Sequence, residues 1–156
     1  MPGFMEFKDS ISGQEGRAYA TINGRIEEMF YLKKFEADVE KVKTEGKTLG
    51  KRGTQHKANG WKGTGSMTIY YVTTMFRQLM LEYMKTGKDT YFDVQITNED
   101  PASTIGKQTT VIKGINLDKV TMALLDVDAE ALEEEVSFTF HDADILDQFG
   151  KPVLGQ

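Results

Sequence analysis

Apolar and polar residues alternate with period two along several stretches of this chain, and with helical period along only one. Phe92, Val94 and Ile96 alternate with Asp93, Gln95 and Thr97, and Val136, Phe138 and Phe140 alternate with Glu135, Ser137, Thr139 and His141. Successive side chains of a strand point to opposite faces, so each run predicts a strand with one buried face. Residues 17–22, RAYATI, predict another, and the Asn23-Gly24 that follows suits a tight hairpin turn. From about Arg25 to Lys43 the chain reads as one long extended segment. In its second half Phe35, Ala37 and Val39 alternate with Lys34, Glu36, Asp38 and Glu40. In residues 66–72, Met67, Ile69 and Tyr71 share one side. Val111 and Ile115 predict a further strand, and Val120, Met122 and Leu124 one more. A short apolar element, Ile145, Leu146 and Phe149, precedes the tail GKPVLGQ.

The helix is predicted over about 73–86. Phe76, Leu79, Met80, Tyr83 and Met84 fall at i, i+3, i+4, i+7 and i+8, with Arg77, Gln78, Glu82 and Lys85 on the other side. Thr73 or Thr74 can cap its start and Gly87 its end. Residues 44–65 break the pattern with six glycines and several lysines, and predict a long loop or an irregular hairpin tip. The expected fold is mainly β: an antiparallel β-sandwich or partly open barrel with one flanking helix, forming a single domain over 1–156.

The chain has no cysteine, which excludes disulfides, thiolate nucleophiles and zinc–thiolate sites. Its net charge of −5 argues against a general nucleic-acid binder. No basic-then-apolar leader opens it, and no apolar run approaches the roughly 20 residues of a membrane span, so a cytosolic protein or one released by lysis is expected. Catalytic constellations are missing. His56 and His141 stand without partners at ligand spacing, which reads as ordinary surface or interface histidine. KGTGSMT at 62–68 has glycines near a lysine but enters a strand, whereas a phosphate loop must enter a helix. Asp126, Asp128 and Glu130 suggest calcium, yet the sixth and twelfth positions counted from Asp126 are Ala131 and Ser137, not glycine and glutamate. Trp61, Tyr70, Tyr71 and Phe76 could stack bases, but aromatic residues in strands more often fill cores and interfaces. The expectation is no enzyme, no cofactor and no metal.

A charge asymmetry does stand out. Lys41, Lys43, Lys47, Lys51, Arg52, Lys57 and Lys62 lie in and around the long loop, opposed only by Glu45. Asp126, Asp128, Glu130, Glu133, Glu134, Glu135, Asp142 and Asp144 lie near the other end, with no basic residue among them. Either cluster alone is explained by a solvated face. Together they suggest a subunit whose one surface complements its other, as a head-to-tail contact requires. The candidates on the basic side are Lys47, Lys51, Arg52, His56, Lys57, Trp61 and Lys62. On the acidic side they are Asp126, Asp128, Glu130, Glu133, Glu134 and Glu135.

Three stretches carry a resemblance: ISGQEGRAYATINGRIEEM, KKFEADVEKVKTEGKTLGKRGTQHKANGWKGTGSMTIYYVTTMF and LDVDAEALEEEVSFTFHDADIL. They resemble the tail tube protein family typified by PBSX-type defective prophages, also found in myophages and R-type bacteriocins of Gram-positive bacteria. The resemblance implies a β-sandwich with a flanking helix, related in fold to the secreted tube protein of type VI secretion. It implies homo-hexameric rings whose strands join into a barrel around a lumen, stacked into a tube inside a contractile sheath. Sheath, tape-measure and baseplate proteins are the implied partners, DNA is a passing cargo if the particle is a phage, and the place is a tail or tail-like particle assembled in the host cytoplasm. Glu36, Asp38 and Glu40, on one side of their strand, are the lumen candidates, with the outer surface as the alternative. The other readings are a soluble β-sandwich binding module and a tail-terminator or cap ring of the same machines.

Overall fold

The computed structural model describes residues 4–150. Eight strands and one α-helix follow one another as β1 (Arg17–Ile22), β2 (Arg25–Glu28), β3 (Leu32–Gly46), β4 (Gln55–Tyr70), α1 (Met75–Thr86), β5 (Phe92–Glu99), β6 (Lys107–Lys119), β7 (Glu133–Phe140) and β8 (Asp142–Asp147). All pairings are antiparallel, in the order β2-β1-β5-β6-β7-β4-β3, with β8 on β6. The sheet is antiparallel throughout and does not close. β2 and β3 are its two free ends, so the partly open form of the expected fold is the one found.

The long strand β6 holds the two halves together. On one flank it pairs with β5, from Phe92↔Ile115 to Glu99↔Lys107. On the other it pairs first with β8 and then with β7, in nearly constant register on either side of His141. β7 and β8 are thus one line of chain, bent at His141. Opposite the bend sits Gly114, with φ +67°. A Cβ there would fall 1.9 Å from the His141 ring, so only glycine lets this corner form. His141, read as a lone histidine on a polar strand face, is the corner residue.

The alternating residues do face inward. Ala18, Ala20 and Ile22 of β1, Phe92 and Val94 of β5, and Val136, Phe138 and Phe140 of β7 are buried with Met67, Ile69, Ile112 and Ile115. The Asn23-Gly24 turn has φ of 51° and 78°, as a tight hairpin requires. Helix α1 ends at Gly87, whose N–H donates to the Tyr83 carbonyl from a left-handed conformation. Phe76 is buried against Tyr31 and Phe92.

Five expectations change. The extended segment from Arg25 breaks at Met29–Tyr31, where Met29 N–H bonds to the Ala18 carbonyl and the chain passes from β2 to β3. The expected loop at 44–65 is mostly strand, and only residues 47–54 connect β3 to β4. The expected strand at Val120–Leu124 is irregular chain, and β8 replaces the short apolar element at 145–149. Finally, the helical stripe is buried only at its start: Tyr83 and Met84 are 51% and 60% exposed.

Candidate functional site

The feature that sets this chain apart is a two-stranded arm. β3 and β4 pair from Leu32↔Ile69 to Gly46↔Gln55. β7 covers β4 only from Tyr70 down to Gly63. Among the described residues no third strand flanks the ribbon beyond Gly63, and residues 38–62 are all exposed. At ~3.3 Å per residue the uncovered part of β4, residues 55–62, extends about 26 Å. A bulge sits within it: Asn59 and Gly60 face Val42 between the pairs Lys41↔Trp61 and Lys43↔Ala58, and Gly60 has φ +119°.

Glycines that looked like loop signals are packing residues. Gly63 pairs with Phe140 and Gly65 with Phe138. A Cβ on Gly63 would fall 2.6 Å from the Phe140 ring, and one on Gly65 2.5 Å from Phe138. The phenylalanine rings lie across the backbone that the glycines leave bare. Phe35 stacks on Phe138 with ring centres 5.3 Å apart, and Trp61 meets Phe140 at 6.0 Å. This aromatic row roots the arm in the core.

The basic candidates divide accordingly. Lys47, Lys51 and Arg52 lie in the tip. His56, Lys57, Trp61 and Lys62 lie on β4 and are strand residues, not loop residues. His56 approaches Glu45 across the ribbon at 3.5 Å, and Lys62 sits opposite Glu40.

The acidic candidates divide too. Asp126, Asp128 and Glu130 are exposed in the 120–132 segment, where Asp128 N–H bonds to the Asp126 carboxylate at 3.0 Å. Glu135 is exposed on β7. Glu133 is paired with Lys33 at 2.7 Å. Glu134 does not belong on the acidic surface: it is 3% exposed and forms an ion pair with Arg77. Burial pushes its carboxyl up, against the pull of the Arg77 guanidinium. Arg77 also donates to the Thr73 carbonyl and lies 4.2 Å from the centre of the Tyr71 ring, so it fastens α1 to the base of β7. Parity is the signal that finds Glu134, because it shares the inward positions of Val136, Phe138 and Phe140.

Glu36, Asp38 and Glu40 are exposed on the face of β3 that points away from the core. Their cross-strand partners are Ser66, Thr64 and Lys62, and beyond these lie Ser137 and Thr139 of β7. The whole face is small hydroxyls and carboxylates, with Lys34 and Lys62 at its margins.

No cluster of metal-ligating residues exists among the described residues. The four aromatic residues weighed as a stacking platform are dispersed. Phe76 is in the core, Tyr71 lies under Arg77, Tyr70 is exposed at the end of β4 and Trp61 is at the arm's root.

Comparison with known proteins follows the same line. The sequence profile of the family described as phage tail tube protein matches residues 3–147. The phage-like element PBSX protein XkdM of Bacillus subtilis (strain 168) is 45% identical over 90% of this chain and 93% of its own length. YqbM of the same organism is 44% identical over 92% and 95%. In fold, the chain is similar to the sheath/tube terminator of an extracellular contractile injection system, with TM-score 0.66 at 9% identity over 92% of this chain and all of that one. It is similar to a chain of the sheath–tube complex of such a system, with TM-score 0.64 at 10% identity over 87% and 90%. The mainly β fold with one helix is thus the fold of these tube and terminator chains, and by sequence the protein belongs to the phage tail tube protein family.

Proposed function

We propose that this chain is the structural subunit of the inner tube of a contractile tail or tail-like bacteriocin. Copies form hexameric rings around a lumen, and the rings stack inside a sheath. Sheath, tape-measure and baseplate proteins are its partners, and it carries out no catalysis. The observation that carries this reading is the uncovered arm. An isolated two-stranded ribbon is marginal in water. Here one extends from the body with Val39 and Trp61 exposed and with the outer edge of the 15-residue strand β3 unpaired among the described residues. Such an edge invites pairing with another chain, and ring closure covers it.

The hydroxyl and carboxylate face of β3, β4 and β7 suits the lumen. Lysines there would hold a passing polyanion through many phosphate contacts, and a conduit has to let its cargo slide. The particle assembles in the host cytoplasm and leaves by lysis.

Negative-stain microscopy of the purified chain, with a baseplate-like seed, tests the proposal. Rings and tubes with a central channel are expected. A lasting monomer with the seed present overturns it. The likeness to terminator chains keeps a cap ring as the second reading. Single rings that never elongate would mark a cap.

A further inference from the structure

We propose that Asn59 is a site of spontaneous deamidation, open in the free subunit and closed by assembly, so that the arm limits how long an unassembled chain stays competent. The site stands on the arm's geometry; its closure rests on the tube reading. The chain contains two Asn-Gly steps, Asn23-Gly24 and Asn59-Gly60. Glycine has no Cβ, so its backbone nitrogen is open to the side chain of the residue before it. At Asn59 the Gly60 nitrogen gives up its proton and attacks the side-chain carbonyl carbon. The bond from that carbon to Nδ2 breaks, and the nitrogen leaves as ammonia, taking up a proton in exchange. A cyclic imide remains. Water adds to either of its carbonyls and gives aspartate or isoaspartate, in which the main chain runs through the former side chain. Nothing but water is consumed.

The structure separates the two steps. Imide formation needs the peptide plane between asparagine and glycine to turn until the nitrogen meets the side-chain carbon. At Asn23 the pair Ile22↔Arg25 closes the turn directly and Ile22 is buried in the core, so the plane turns only if the β1–β2 hairpin opens. At Asn59 the ladder is already interrupted. Pairing stops at Lys41↔Trp61 and resumes at Lys43↔Ala58, with Asn59 and Gly60 in the bulge between. Both are exposed, and among the described residues no third strand flanks them. The Asn59 amide donates to the Thr44 hydroxyl, an exposed bond that water can replace. Charge favours the same step. Lys57 and Lys62 on β4 and Lys41 and Lys43 on β3 flank the bulge, against Glu40 opposite Lys62 and Glu45 opposite His56. An excess of positive charge favours the deprotonated nitrogen that attacks.

The product differs from the parent arm in charge and in length. Aspartate puts a carboxylate among those lysines. Isoaspartate adds a carbon to the main chain of β4 and displaces the rungs from Lys43↔Ala58 to Gly46↔Gln55 against β3. A subunit with such an arm no longer matches its neighbours. In a tube the arm is held and shielded from water, so the imide does not form.

Peptide mass spectrometry of the ageing full-length chain tests the site. In free chain kept at mildly alkaline pH, the peptide holding Asn59 should gain about 1 Da and split into chromatographic isomers, about tenfold faster than the peptide holding Asn23. The site is refuted if Asn23 converts as fast, or if Asn59 stays intact while a synthetic peptide of residues 55–64 converts. The aged parent should lose elongation from a seed of fresh rings in step with conversion, whereas N59Q, whose longer side chain closes the ring poorly, should elongate as well aged as fresh. Full elongation by converted parent, or loss by N59Q at the parent's pace, would overturn the link to competence. Tubes of the parent should convert about tenfold more slowly than free chain, and equal rates would overturn closure by assembly. None of these results touches the tube reading, which falls only if fresh parent chain makes no tubes.

Discussion

An added Cβ on Gly65 would fall 2.5 Å from both the Phe138 ring and the Glu36 carbonyl oxygen. G65A should therefore destabilise the fold by about 1–3 kcal/mol through overpacking, read as a lower midpoint in urea. The pair Gly114 and His141 permits a sharper experiment. G114A forces a methyl group into the imidazole and a side chain into positive φ. Removing the ring with H141A should recover the steric part of the loss and leave the backbone part, about 1–2 kcal/mol. Asp9 is a third informative residue. It is buried, accepts the Glu6 N–H at 3.0 Å and the Thr104 hydroxyl at 2.8 Å, and fastens the N-terminal segment to the 100–106 turn. The Glu6 N–H foremost, then the Thr104 hydroxyl, hold its carboxyl below the ordinary value of 3.8. A carboxyl lowered in the folded state contributes stability that is complete above the unfolded value and lost as pH falls through the folded one. Acidification below that value should therefore release this segment. D9N should loosen it at neutral pH, seen as faster hydrogen exchange at Glu6 and Ser10.

Among the elements, α1 depends on one buried ion pair. R77A leaves Glu134 buried without its cation and should cost about 3–5 kcal/mol, whereas R77M with E134L should lie within about 1–2 kcal/mol of the parent. Denaturant titration of the parent and these two variants measures both. The arm behaves oppositely. Its residues beyond Gly63 bury little, so replacing 41–61 by a short turn should leave the melting temperature nearly unchanged while tubes disappear. Its amides should exchange freely in the monomer and slowly in tubes. These elements were unequally legible. β1, β5 and β7 announce themselves because one face is apolar and the other polar at every step, and α1 because its stripe has a single period. The last part of β4 shows in the alternation of Met67 and Ile69, but the part before it is hidden because the groups filling its inner face at Gly63 and Gly65 belong to Phe140 and Phe138 of another strand. β8, rich in aspartate, was hidden because it binds β6 through its backbone with little apolar burial. The alternation at Val120–Leu124 misleads because alternation supplies no hydrogen-bonding partner, and β6 makes its last pair at Lys119↔Ser137. The opposed charge clusters were visible as composition. That they lie at opposite ends of one strand depends on register, which appears only in the fold.

At the scale of the molecule, the polar face of β3, β4 and β7 carries its own prediction. E36K, D38K and E40K together should leave assembly intact and slow the passage of a polyanion. The defect should be worst at low salt, where screening is weakest, and a headless particle should show little of it. Ejection kinetics across a salt series measure the effect, and an unchanged rate would move this face to the outside of the tube. The arm has a mechanical consequence as well. It is the free part of β4, whose other part is paired with β7 at eight positions from Gly63↔Phe140 to Tyr70↔Glu133. A pull along the arm therefore loads those rungs in shear. All of them must stretch together, whereas a sideways pull would peel them one at a time. How long such a joint survives is set by its rate of giving way and not by its equilibrium stability. A ribbon rooted in this way is a tow line, stiff against axial load and weak against peeling.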